Sequence, residues 1–339
     1  EYNNHVWRGD FHMKPEAILG LSRKFMESRI FLTAAELDIF SLLSIHPTSA
    51  QEVADNIQVT LRGITILLDA LVPMGLLKKK DDKYYCPAEV ASLLSRDSPT
   101  SIMPMVMLSV GGWKRWSNLT EIVRYGLQRT RPSTFESISE QETFILAMRT
   151  IAHRLAPAIV AAIKPIGVKK LLDIGGGSGS YTQAFLETYP DMKATLFDLP
   201  SVIKIAQASL TDTDLIDRIT FVPGNYYKDE LPTGHDLALL SAIIHQNSPE
   251  QNIELYRKIY CALGPGGRLI IRDHVMSPDH TQPIGGALFA VNMLIVTPGG
   301  RTYSFEEIKA SLESAGFAKI NLIQPDEQMN GLIEGFKQS

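Results

Sequence analysis

The chain has 339 residues, 45% hydrophobic, 8% aromatic and 21% charged, with a formal net charge of -4 and a pI near 6.1. That length suits two domains at ~100 to 200 residues each, and the composition excludes a disordered chain, a collagen and a disulfide-stapled mini-protein. Cys86 and Cys261 are too few for a disulfide framework or a CxxC zinc site and fit a reducing, cytoplasmic compartment, while the acidic balance argues against a nucleic-acid surface.

The N-terminal EYNNHVWRGDFHMKPEA mixes charged and polar residues without the apolar stretch of a secretory signal. It does not begin with Met, and its first dozen residues are left out of the fold reading. No run of consecutive apolar residues approaches the ~18 to 20 of a membrane-spanning helix, so no membrane partner is expected. Residues 15 to 100 read as helices followed by a short ribbon. Leu32, Ala35, Ile39 and Leu42 share a helical stripe. Ser49 with Glu52 three residues later makes a capping box. Thr60 opens the helix ILLDALVPMG, which runs to Gly75, and LLKKK and KYYC form two strands joined by Asp81-Asp82.

This order is a winged-helix pattern, which suggests either DNA binding or a dimerisation and substrate-lid module. Residues 1 to 100 carry 11 Lys plus Arg against 13 Asp plus Glu, a net -2, which favours the second reading. Lys78, Lys79, Lys80 and Lys83 then serve as a solvated strand edge. Residues 101 to 165 read as all-helical, broken at Pro104 and Pro132. From Lys169 onward short apolar runs alternate with amphipathic helices, the pattern of a parallel sheet wrapped by helices. AKINLIQ and GLIEGFK close one edge as a hairpin.

The segment LLDIGGGSGS, residues 171 to 180, is a buried strand running straight into a glycine turn and a helix. Glycines allow positive φ and close approach of a ligand to the backbone. A nicotinamide turn has G-x-G-x-x-G spacing around a pyrophosphate, whereas here Gly175-Gly176-Gly177-Ser178-Gly179 follows Asp173. A carboxylate at that place suits a ligand with a cationic amino-acid part better than a diphosphate. Asp198, at the end of the second strand, is placed to accept hydrogen bonds from two ribose hydroxyls.

With Asp-x-Gly-x-Gly-x-Gly, Phe197-Asp198-Leu199-Pro200, Gly224-Asn225 and GPGGRLII on the page, the chain resembles the class I S-adenosylmethionine-dependent methyltransferases. The helical front half, the DLP and His245 in SAIIHQNSPEQ narrow the resemblance. They look like the small-molecule O-methyltransferases that include caffeate, hydroxyindole and bacterial polyketide enzymes, over nearly the whole chain. The fold class this implies is α/β: a Rossmann-like doubly wound sheet, mostly parallel with an antiparallel C-terminal hairpin, behind a mainly α winged-helix dimerisation domain. The expected divisions are 1–100 for dimerisation, 101–165 for a helical linker and lid, and 166–339 for cofactor binding. The resemblance also implies a homodimer through the front domain and no metal. Its cofactor residues fall on Asp173, Gly175, Gly176, Gly177, Asp198, Leu199, Asn225, Tyr226 and Ser241, binding S-adenosyl-L-methionine and releasing S-adenosyl-L-homocysteine.

Methyl transfer from a sulfonium is an in-line displacement, so the enzyme chiefly holds the acceptor oxygen against the methyl carbon. A phenol is mostly protonated at neutral pH, and histidine is the side chain best suited to take its proton. His245 follows the apolar strand DLALLSAII and so stands at the carboxyl edge of the sheet, where open α/β folds bind ligands. By the resemblance His245 matches the family's base, and Asp273, ending RLIIRD, matches the acid that orients it.

The family's His-Asp-Trp is here His245-Gln246-Asn247, its second acid is missing after Gly299-Gly300-Arg301, and its adenine-side aspartate is Asn225. The resemblance puts Met148, Met293, Trp113 and Trp116 on the wall around a flat aromatic or conjugated acceptor. Three alternatives stay open: carbon or nitrogen methylation with His245 dispensable, a ligand-sensing regulator, and a nicotinamide enzyme.

Overall fold

Pro15 in the first turn starts α1 (Pro15–Glu36), the first element of the computed structural model, which describes residues 14–127, 138–211 and 213–338. The chain divides into two units after Val110. In the first, α1 stops where Asp38 turns left-handed at φ 54°, and α2 (Ile39–Ile45) begins afresh. The stripe Leu32, Ala35, Ile39 and Leu42 therefore belongs to two helices, not one. A two-residue strand β1 (Thr48–Ser49) leads into α3 (Ala50–Ile57), whose capping box is present, with the Ser49 N–H donating to Glu52 Oε2 at 2.8 Å. α4 (Leu61–Leu71) is capped by the Thr60 hydroxyl. It ends four residues short of Gly75, since Pro73 has no N–H to continue the ladder.

Asp81 and Asp82, both at positive φ, make the tight turn between β2 (Lys78–Lys80) and β3 (Lys83–Tyr85). The ribbon has three strands rather than the expected two, in the order β1-β3-β2, all antiparallel. Tyr84 is buried beneath it, its hydroxyl donating to Asp69 at 2.7 Å. After α5 (Ala88–Leu94) comes α6 (Met103–Trp116), which spans the division. Pro104 starts α6 rather than breaking a helix, because a first-turn residue has no N–H to lose. Pro132 lies outside the described residues.

The second unit continues with α7 (Leu119–Tyr125) and α8 (Ile138–Ile163). By length and mean hydropathy Phe144–Ile163 of α8 is apolar enough to cross a membrane, although Arg149 and Arg154 interrupt its apolar run. Ala156, Ile159, Val160 and Ile163 of that segment are buried in the core of the second unit.

Then follow β4 (Lys170–Ile174), α9 (Ser180–Thr188), β5 (Lys193–Asp198), α10 (Pro200–Leu210), β6 (Ile219–Pro223), β7 (His235–Ser241), α11 (Pro249–Ala262) and β8 (Leu263–Asp273). The chain closes with β9 (Val275–Met276), α12 (Ile284–Val296), β10 (Tyr303–Ser304), α13 (Phe305–Ser314), β11 (Ala318–Gln324) and β12 (Gly331–Phe336). Seven strands form one sheet in the order β11-β12-β8-β7-β4-β5-β6, parallel except for β12, which runs antiparallel to both its neighbours. β9 and β10 pair separately.

Both faces of the sheet are covered, which is why its strands read as continuous apolar runs. Leu172, Ile174, Leu240 and Ile271 pack with Leu255 and Ile259 of α11 and Ile308 and Leu312 of α13. Leu171, Leu237, Leu239 and Ile270 pack on the other side with Val160, Phe185 and Ile203 of α8, α9 and α10. The strand order reverses between β4 and β7. A crevice therefore opens at their carboxyl ends, where ligands bind in folds of this kind.

Candidate active site

The turn after β4 is tight below and open above. Its glycines 175, 177 and 179 have φ of 68°, 57° and 82°. A Cβ on Gly175 would lie 2.7 Å from Ile243, and one on Gly176 would lie 3.0 Å from the Asp173 carboxyl carbon. A Cβ on Gly177 would meet nothing within 4 Å, so the backbone is bare there for a ligand. Two carboxylates lie beneath and beside the turn. Asp173 is buried and accepts the Thr182 hydroxyl at 2.7 Å. Burial, with the nearby Asp198 adding to it, outweighs that hydrogen bond and pushes the Asp173 carboxyl up to about 6. Asp198 accepts the N–H groups of Gly177 at 2.9 Å and Leu199 at 2.7 Å, and burial raises its carboxyl too.

Tyr226 tilts against Tyr227, ring centroids 4.5 Å apart, and its ring edge lies 3.9 Å from where a Gly175 Cβ would stand. The Asn225 N–H donates to Asp229, and its side-chain oxygen accepts the Tyr227 N–H at 2.9 Å. That oxygen holds the turn and keeps one lone pair for other use. Ser241, at the end of β7, accepts a hydrogen bond from Arg272 at 3.2 Å. The turn, the paired carboxylates and these aromatic rings fit a nucleoside carrying positive charge. Each acid is held at a cost to its charged form that a cation would offset.

His245 lies in a short 3-10 turn, Ile244–Gln246, just past β7. Its Nδ1 is 2.8 and 3.0 Å from the two oxygens of Asp273 at the end of β8. A carboxylate there makes Nδ1 the donor and leaves Nε2 as the acceptor. Burial alone would raise the Asp273 carboxyl. The His245 imidazole and the His274 N–H, donating at 2.8 Å, reverse that and hold it below its ordinary value.

The turn itself is fastened from below. The Asn252 side chain donates to the Ile244 carbonyl at 3.0 Å and accepts from Asn247 at 2.9 Å, and the hydroxyls of Tyr227 and Tyr303 both donate to Asn247. Asn247, where the family resemblance has Trp, is thus part of a scaffold, and Gln246, where it has Asp, donates to the Ala242 carbonyl at 3.3 Å. Glu307, in the helix after Gly299-Gly300, caps Ser304 and pairs with Arg301 at 2.7 Å.

α12 supplies the wall beside His245. Phe289 stands edge-on to the His245 ring at 4.9 Å and tilts on His274 at 5.1 Å. Met293, on the same helix, is buried, and Trp116 donates from its indole to Asn292 at 3.3 Å. Of the expected wall residues, Met293 thus lies on α12 and Trp116 is bonded to it. Met148 on α8 and Trp113 on α6 are half-buried. The sequence reading missed Phe289, Arg272, His274, Asn252 and Tyr227. Only Arg272 and His274, flanking Asp273, carried a signal in their adjacency. Among the described residues no group of three His, Cys, Asp or Glu side chains gathers to hold a metal.

Comparison with known proteins identifies the family. Residues 116–318 match the model of an O-methyltransferase domain, and residues 19–97 match an O-methyltransferase dimerisation domain. The chain is 28% identical over 334 residues to 3-hydroxy-5-methyl-1-naphthoate 3-O-methyltransferase of Streptomyces sahachiroi, covering 95% of each chain. It is 28% identical over 326 residues to acetylserotonin O-methyltransferase of Gallus gallus, covering 91% of this chain and 93% of that one. Among solved structures, PigF with S-adenosylhomocysteine superimposes with a TM-score of 0.85 at 25% identity, over 96% of this chain and 100% of that one.

Proposed function

The chain belongs to the O-methyltransferase family, and on that premise we propose that it methylates a hydroxyl of a flat, aromatic or conjugated small molecule with His245 as the general base. When bound, S-adenosylmethionine supplies a methyl carbon activated by a sulfonium, which departs as a neutral thioether. The acceptor oxygen forms the new bond to that carbon, and its proton passes to Nε2 of His245. Asp273 fixes the imidazole with Nδ1–H toward the carboxylate and stabilises the imidazolium that results. The observation that carries this reading is the bifurcated contact of His245 Nδ1 with both Asp273 oxygens, at 2.8 and 3.0 Å, at the carboxyl edge of the sheet.

Asp173, Gly175, Gly176, Gly177, Asp198, Leu199, Asn225, Tyr226 and Ser241 hold the cofactor in this reading. Phe289 and Met293 of α12 face the acceptor, with Trp116 behind them. The two relatives act on a naphthoate and an acetylserotonin, both fused aromatic rings, which supports a flat acceptor here. The front domain pairs two copies of the chain, consistent with the match of residues 19–97. We assign the enzyme to the cytoplasm, where the free thiols of Cys86 and Cys261 remain reduced.

The test is transfer of labelled methyl from S-adenosylmethionine into small-molecule extracts by wild type and His245→Ala. The variant is expected to lose ~100- to 10,000-fold in kcat, with calorimetric affinity for S-adenosylhomocysteine unchanged. Undiminished transfer would remove His245 from the chemistry and favour a carbon, nitrogen or already ionised acceptor.

A further inference from the structure

Arg272 ends β8 one residue before Asp273, and the alternation of side chains along a strand sends the two to opposite faces. Asp273 turns to His245. Arg272 turns to the face that carries Asp173 and α9, where its guanidinium carbon lies 5.5 Å from the ring centroid of Tyr181, in the first turn of α9. In register it pairs with Ser241 on β7, and the next row on β4 begins the glycine turn. Two strand spacings of ~4.8 Å separate Arg272 from that turn, within reach of an extended arginine.

Arg272 is 5% exposed, and among the described residues no carboxylate pairs with its guanidinium. Its one hydrogen bond is to Ser241 Oγ at 3.2 Å, and its Nε is buried without a partner. The hydroxyl of Tyr181 beside it is also buried and faces Ser241. An arginine N–H can only donate, so the buried Nε lacks an acceptor. A buried cation without a counter-charge is costly, and a planar carboxylate is the acceptor that matches its fork. Asp173, on the same face, shows the opposite need. A donor and an acceptor gathered about one turn describe a zwitterionic ligand.

We propose that Arg272, with Tyr181 and Ser241 beside it, binds the α-carboxylate of the methionine part of S-adenosylmethionine. This rests on the reading of the glycine turn as the cofactor site. The guanidinium sets the amino-acid end of the cofactor and thereby the line along which the methyl group faces His245. Arg272 is a cofactor-binding residue and takes no proton.

The test uses the full chain and calorimetry with three ligands: S-adenosylmethionine, its decarboxylated analogue, and 5′-methylthioadenosine, which lacks the whole amino-acid part. Wild type is expected to bind the decarboxylated analogue ~10- to 150-fold more weakly than S-adenosylmethionine, the range of charge-assisted hydrogen bonds. In Arg272→Met that preference disappears, Arg272→Lys keeps part of it, and 5′-methylthioadenosine binds all three proteins alike. Equal affinity of wild type for the carboxylated and decarboxylated ligands overturns the proposal without needing any variant. So does a variant that weakens all three ligands equally, since that marks a structural role. Absence of binding by wild type to all three ligands would instead reject the cofactor site itself, and the assignment of Arg272 with it.

Discussion

At Asp173 burial lifts the carboxyl to about 6 from an ordinary 3.8, against the pull of the Thr182 hydroxyl. Between those values the folded chain keeps a proton that the unfolded chain has lost. This group therefore favours the fold at low pH and works against it as pH rises through about 6. A cationic ligand reverses the balance, because it stabilises the ionised form. Cofactor affinity is expected to climb between about pH 5 and 7, by up to ~10-fold per unit below 6, and to level above. Calorimetry in two buffers of different ionisation heat should show proton release near pH 6. A flat affinity across that window would mean that Asp173 does not sense the ligand's charge. Asp173 and Asp198 were legible in the sequence because glycine spacing and strand ends announce them. Arg272 was marked only by its adjacency to Asp273, since its lack of a counter-ion among the described residues is a fact about space and not about neighbours in the chain.

The short turn that carries His245 is an element whose geometry depends on groups outside it. Asn252, on α11 and 2% exposed, satisfies the Ile244 carbonyl and the Asn247 amide. Removing it leaves two buried polar groups unpaired, each costing about 1 to 3 kcal/mol. Asn252→Ala is expected to lower unfolding free energy by about 2 to 4 kcal/mol in urea titration and to reduce kcat more than it raises the KM for S-adenosylmethionine. An unchanged midpoint would show that the turn is held by other bonds. Elsewhere the sequence signals were local and mostly sufficient. The capping box at Ser49 and the strands 170–174 and 193–198 lie where periodicity placed them. The stripe through Leu32 and Ile39 misled because apolar spacing runs on across a left-handed residue, Asp38, that no periodicity reveals.

For the molecule as a whole, α1 leaves Ile18, Leu19, Leu21, Phe25 and Met26 more than half exposed. An apolar stripe of that size on a helix in a matched dimerisation domain calls for a partner surface, and in the proposed homodimer a second copy supplies it. Light scattering is expected to give twice the 37.6 kDa chain mass for wild type, and the single chain mass for Leu21→Glu with Phe25→Glu. A monomeric wild type at micromolar concentration would refute pairing through this helix.

Read alone, the chain already determined the parallel sheet, the glycine turn with its two acids, and the placement of His245 and Asp273 at adjacent strand ends. These are consequences of strand and helix periods and of glycine's permissive backbone, all of which act between near neighbours. Tertiary structure alone decided that Phe289 stands against His245, that Asn252 fastens its turn and that Arg272 lies buried without a counter-charge among the described residues. Those facts depend on which face each strand presents and on which helix crosses it, and they arise only when elements distant in the chain pack and exclude water.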